Sequence, residues 1–207
     1  LEGGVQSAAA SSTAAQVRAT QAQAIAEAFV NEAAGAQAQC AETDVLGGLS
    51  AAAASLAQAP GSHTVHLFSS LLSTAGVVNL AEHPEWVSAP AGSDVTSEEL
   101  HARVVDQLKP LLPDMSCVAK VVIYGAGVTA GDQVTPNTAQ ANDLKDLWSQ
   151  ILLACGVGEV QYVTAPLSGK ETEGAYPVSA VELPQVTVDV EIPQAPEPEP
   201  DPEPEPE

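Results

Sequence analysis

Val118-Ala119-Lys120-Val121-Val122-Ile123-Tyr124 runs straight into Gly125-Ala126-Gly127. Seven mostly β-branched or aromatic residues are too few for a helix, and glycines at the end supply a tight turn, so the stretch predicts a buried strand entering a loop. Downstream, Ala139 to Cys155 carries Leu144, Leu147, Trp148, Ile151 and Leu152 at helical spacing, and Gly156 marks its end. A further strand is expected from Val160 to Thr164. Upstream, Thr96 and Glu99 form a capping-box pattern ahead of Leu100, Val104, Leu108 and Leu111, with Pro110 and Pro113 closing that helix. A Pro- and Gly-punctuated loop from Ala81 to Ser93 separates this helix from a Ser-rich loop and the short strand Thr64 to Ser69.

Further upstream, Thr43-Asp44 are N-cap types for a helix to about Gln58, with Leu46, Leu49, Ala53 and Leu56 on one face. Ala14 to Ala34, dense in Ala, Gln and Glu, predicts another helix whose stripe is Val17, Ile25, Phe29 and Val30. Helix, helix, strand, helix, strand, helix, strand is the alternation of an α/β fold: a Rossmann-like parallel sheet with helices on both faces. Such a sheet is expected to have a strand before its first helix, and none precedes Ala14. Val186 to Ile192 alternates like a strand between Pro184 and Pro193, which restricts it to a sheet edge. The expected organisation is a disordered Gly/Ala/Ser-rich segment 1–13, an α/β domain over 14–193 and an acidic Pro/Glu linker over 194–207. From Pro196 onward Pro alternates with acid, which favours extended polyproline II and a span of about 37 Å at roughly 3.1 Å per residue.

The chain of 207 residues has 6 Lys+Arg against 27 Asp+Glu, a net charge of -21, and six of those acids lie in the Pro/Glu tail. Nucleic acid and anionic membrane surfaces are polyanions, so this charge argues against both as partners. Aromatics make up 3% of the chain, too few for a base-stacking platform. No apolar run approaches the roughly 20 residues of a membrane helix.

Gly125, Gly127 and Gly131 follow a strand where dinucleotide folds keep their phosphate loop, but Asp132 and Pro136 intervene before the next helix. The alternative is a turn that needs positive φ. Ser69, Ser70 and Ser73 stand at a strand's C-terminal end, where α/β folds place sites, yet Phe-Ser-Ser-Leu-Leu-Ser is no nucleophile elbow. His63, His66, His83 and His101 show no metal-ligand spacing, and His66, between Val65 and Leu67, is expected partly buried and hydrogen-bonded. Of Cys40, Cys117 and Cys155, the last two fall at the same edge of the expected sheet, so either a disulfide joins them or they are buried thiols.

Thr43-Asp44-Val45-Leu46-Gly47-Gly48-Leu49 and His66-Leu67-Phe68-Ser69-Ser70-Leu71-Leu72-Ser73-Thr74-Ala75-Gly76 resemble the second and third metal-loop regions of a von Willebrand factor A-type domain. The usual forms there are G-T-D-(I/L)-x-x-A-L and L-(F/Y)-S-D-G-x-x-T-x-G. Leu112 to Ser116, Gly125-Ala126-Gly127 with Ala130 to Gln133, and Leu147 to Leu152 are similar to a narrower group. These are actinobacterial cell-envelope proteins in which a degenerate A-type domain precedes an acidic Pro-rich linker and an OmpA-like peptidoglycan-binding domain. The resemblance spans about Thr43 to Glu207. It implies a first strand upstream of Leu1, an OmpA-like domain after Glu207, an extracytoplasmic location, and a protein or cell-wall partner. It also implies weak binding positions at the sheet's C-terminal edge: Thr43, Asp44, Ser69, Ser70, Thr129 and Asp132. The D-x-S-x-S motif is absent and Ser70 stands where the third-loop aspartate belongs, so neither a metal ion nor another cofactor is expected. The expected function is a non-catalytic binding or spacer module. The competing reading is a nucleotide-binding protein or enzyme using Gly125 to Gly127 for ATP or NAD.

Overall fold

The computed structural model describes residues 15–21, 23–24, 27, 41–129, 131–164 and 179–184. Two compact units partition the chain, the smaller comprising Leu1–Thr43 with Lys170–Ser179 and the larger Asp44–Gly169 with Ala180–Glu207. In the smaller unit, the described residues between 15 and 27 are helical and exposed, within the helix expected over 14–34. The segments 1–13, 186–192 and 194–207 and Cys40 lie outside the described residues.

The larger unit is an α/β arrangement. Helix α1, Val45–Leu56, begins where the Asp44 carboxylate accepts the Gly47 N–H, and it turns Val45, Leu46, Leu49 and Ala53 inward. Strand β1, His63–Phe68, follows. Helix α2, Ser97–Leu108, opens on the complete Thr96/Glu99 capping box. It gives way to a 3₁₀ turn at Lys109–Leu111, where Pro110 cannot continue the α-helical ladder. Strand β2, Val118–Tyr124, is the predicted stretch to the residue. Helix α3, Thr138–Ala154, has a second capping box from Asn137 and Gln140. It ends at Gly156, whose φ of 92° suits glycine alone and whose α-carbon lies against Ser116. Strand β3, Glu159–Val163, completes the unit. Within the expected 81–93 loop, Pro84–Trp86 makes one 3₁₀ turn.

The three strands are parallel in the order β1-β2-β3, with Val65 beside Val121 and Val121 beside Val160. Parallel neighbours require crossovers, and α2 and α3 supply them. Buried residues of α1, α2 and α3 form one cluster with the face carrying Val65, Leu67, Val121, Ile123, Val160 and Tyr162. On the opposite face Val122 is buried, whereas Thr64, His66, Phe68, Glu159 and Gln161 are exposed. His66 is therefore exposed rather than partly buried, because Val65 and Leu67 take the helix side and the strand's alternation sends His66 the other way. It is hydrogen-bonded as expected, with Nδ1 3.1 Å from the Tyr124 hydroxyl. The fully buried histidine is His101, whose Nε2–H donates to the Val87 carbonyl at 2.7 Å.

Cys117 and Cys155 are free thiols, where one reading of the sequence joined them. Their segments do meet, since the Met115 N–H donates to the Cys155 carbonyl at 2.7 Å. The Cys117 thiol, however, is directed at the Ala53 carbonyl of α1, 3.4 Å away. Burial pushes the Cys155 thiol up to about 11. No helix among the described residues is long and apolar enough to cross a membrane.

Candidate functional site

The C-terminal edge of a parallel sheet is where α/β folds expose strand ends and loops to ligands. Here that edge is built by the loop after β1. The Ser69 N–H donates to the Tyr124 carbonyl at 3.0 Å, carrying the β1–β2 ladder one residue further. The chain then folds back on itself: Ser69 Oγ accepts the Leu71 N–H at 3.0 Å and Ser70 Oγ the Leu72 N–H at 3.4 Å. Leu71, between them, is fully buried with φ at 67°, a left-handed conformation that costs a non-glycine residue roughly 1–2 kcal/mol. Burying a leucine side chain is worth about 1.5–3 kcal/mol, enough to hold it there. The Leu71 carbonyl accepts from the Ser73 N–H at 3.0 Å and from the buried Trp148 indole at 2.9 Å, which ties the loop to α3.

Two further elements close on this loop. Buried Ser73 accepts the Val45 N–H at 3.2 Å and donates to the Ala75 carbonyl, fixing the start of α1. The Asp44 carboxylate lodges against the α-carbons of Gly47 and Gly76, where a side chain on either glycine would collide with it. From β2, the Gly127 N–H donates to the Ser70 carbonyl at 2.9 Å and the Val128 N–H to the Gly125 carbonyl at 2.8 Å. The amide of Gly127 in the glycine loop and that of Val128 just after it are thus engaged within the protein. At the start of α3, Asn137 accepts the Gln140 N–H and Gln140 accepts the Asn137 N–H, both at 3.0 Å, so the helix N-terminus is capped by its own side chains.

Of the six positions singled out in the sequence, Asp44, Ser69 and Ser70 come together at this edge. Thr43 is exposed and belongs to the smaller unit. Thr129 shares a 2.9 Å hydroxyl contact with Thr135 in the next loop, where Asp132 is exposed. Among the described residues, no three His, Cys, Asp or Glu side chains gather as a metal-binding group.

Sequence reasoning missed the polar side chains that act over distance. Gln133 grips both backbone groups of Val181, Gln140 donates to the Pro184 carbonyl, and Trp148 bonds Leu71. One signal was available: Gln140 stands four residues before Leu144 on the apolar stripe of α3, a position where a polar residue needs a partner. Compared with family models, curated proteins and solved structures, the chain matches none.

Proposed function

We propose that this chain is a non-catalytic binding or spacer module of a cell-envelope protein, a degenerate A-type domain held on the acidic Pro/Glu segment 194–207. The observation that carries the reading is how the polar groups at the sheet's C-terminal edge are used. The hydroxyls of Ser69 and Ser70 accept backbone N–H groups of their own loop, the Ser73 hydroxyl accepts the Val45 N–H at the start of α1, and the Asp44 carboxylate accepts the Gly47 N–H of the helix it caps. A nucleophile or metal ligand keeps its oxygen directed at a reactant, whereas these oxygens shape loops. The same logic disfavours the nucleotide reading, because Gly127, Val128 and, in the first turn of α3, Gln140 donate their N–H groups internally.

Thermal unfolding with ATP, NAD, Mg²⁺ and Ca²⁺ tests the reading. The expected result is no saturable rise in midpoint with any of them. A rise that follows ligand concentration as mass action requires would replace this reading with a nucleotide- or metal-dependent one.

A further inference from the structure

Residues 180–184 form no helix or strand, yet the larger unit holds them as a recognition groove holds an extended peptide. Val181 is 1% exposed. Its N–H donates to Gln133 Oε1 at 2.7 Å and its carbonyl accepts from Gln133 Nε2 at 2.8 Å, so one side-chain amide does the work of a neighbouring strand. Three residues on, the Pro184 carbonyl accepts from Gln140 Nε2 at 2.7 Å. Leu183 packs against the core cluster and Glu182 faces solvent, the in-out-in alternation of a strand laid in a groove. Beside it lies a cavity of about 220 Å³ lined by Val134, Thr135, Pro136 and Gln140 on one side and Glu182 and Leu183 on the other.

We propose that the groove between loop 133–136 and the first turn of α3 is a binding site for an extended Val-x-Leu-Pro segment of a partner protein, with 180–184 as its built-in occupant. Backbone capture by Gln133 and Gln140 is blind to which chain supplies the backbone, while the Val181 and Leu183 positions set the side-chain pattern. The second position of the segment is exposed on a chain of net charge -21, which favours a basic residue there over the Glu182 of the built-in strap. This goes beyond the module reading and stands whether or not the protein resides in an envelope.

The test uses the full chain and two fluorescein-labelled peptides, Ala-Val-Glu-Leu-Pro-Gln and its counterpart with Lys at the third place, read by anisotropy. Val181→Asp frees the groove by burying a charge where the strap's anchor sits. That variant is expected to bind both peptides saturably, the Lys peptide more tightly. The unmodified chain binds at least about tenfold more weakly, because the strap competes at high effective concentration. Adding Gln133→Ala to the freed chain removes the binding. A Val181→Asp chain with a native circular dichroism spectrum and no peptide binding at millimolar concentration would overturn the proposal, as would binding indifferent to Gln133→Ala. Should Val181→Asp unfold the chain, hydrogen exchange in the unmodified protein decides. Excess peptide should speed exchange of the Val181 amide as the strap is displaced, and an unchanged rate refutes the groove.

Discussion

Replacing Trp148 probes the contact that holds the β1 loop to α3. Its indole is fully buried and donates at 2.9 Å to the carbonyl of Leu71, the residue held at positive φ. Two effects are separable by choice of substitute. A benzothienyl-alanine at this position keeps the bicyclic shape and deletes only the N–H. The Leu71 carbonyl would not be orphaned, because the Ser73 N–H still donates to it at 3.0 Å. The loss is therefore the net value of one hydrogen bond, about 0.5–1.5 kcal/mol, rather than the roughly 1–3 kcal/mol of a stranded buried acceptor. Trp148→Phe adds the transfer and cavity terms of the missing ring atoms, about 1–2 kcal/mol more. The expected totals are about 1 kcal/mol for the isostere and about 2–3 kcal/mol for phenylalanine.

Urea unfolding followed by far-ultraviolet circular dichroism measures both, free of the fluorescence change that losing one of two tryptophans brings. With a slope near 1.5 kcal/mol/M, the midpoints should fall by about 0.7 M and about 1.3–2 M at unchanged slope. An isostere as stable as the parent would show that the indole N–H contributes nothing and that packing alone positions Leu71. An isostere costing more than about 3 kcal/mol would show that the second donor on the carbonyl is not an effective substitute.

Three other perturbations test separate parts of the architecture. Gly76→Ala should cost about 2–4 kcal/mol, since it places a side chain at φ 77° against the Asp44 carboxylate, and Asp44→Ala in the same chain should recover about 1 kcal/mol of it in a double-mutant cycle. Thr96→Ala should lower stability by about 1 kcal/mol by opening the α2 capping box, where Thr96 Oγ1 now accepts the Glu99 N–H at 3.2 Å. Stability should also fall with alkalinity. Burial holds Cys155 protonated up to about 11, above its ordinary 9, so its contribution is complete below pH 9 and is lost between 9 and 11 as the unfolded thiol ionises. Urea midpoints over that range should slope at no more than about 1.4 kcal/mol per pH unit for this thiol, and Cys155→Ala should flatten the slope. Tyr162, pushed up to about 12 chiefly by burial, acts in the same direction from pH 10 upward.

Legibility in the sequence followed the range of the interaction responsible. Val118–Tyr124 was readable to the residue because apolar run, β-branching and terminal glycines all act within ten positions. The helix starts at Thr96 and Asn137 are set by side chains three residues from the groups they cap, although only the Thr96 box was recognised in the sequence. His66 was misplaced because alternation fixes which residues share a face and leaves open which face the helices cover. The cysteines show the same division. Chain topology brought the segments of Cys117 and Cys155 to one edge, but thiol direction depends on Ala53, 64 residues from Cys117.

Leu71 and Val181 were hidden for a stronger reason: local preference there opposes the structure. Nothing in Ser-Ser-Leu-Leu-Ser asks for a left-handed residue, and glycine would be the local choice. Leucine occupies the position because its buried side chain and the Trp148 bond from 77 residues away outweigh the backbone cost. Val181 likewise lies in a stretch with no periodicity, fixed by a glutamine 48 residues earlier. In both cases a single polar side chain from the β2–α3 half of the unit captures backbone that makes no ladder of its own. Long side-chain amides and an indole therefore organise the sheet's C-terminal side. That organisation explains why its serines and Asp44 can serve as turn and cap residues. Substitutions at Gln133, Gln140 and Trp148 should consequently alter the loops of this edge more than substitutions at Ser69 or Ser70, whose hydroxyl bonds span only two residues.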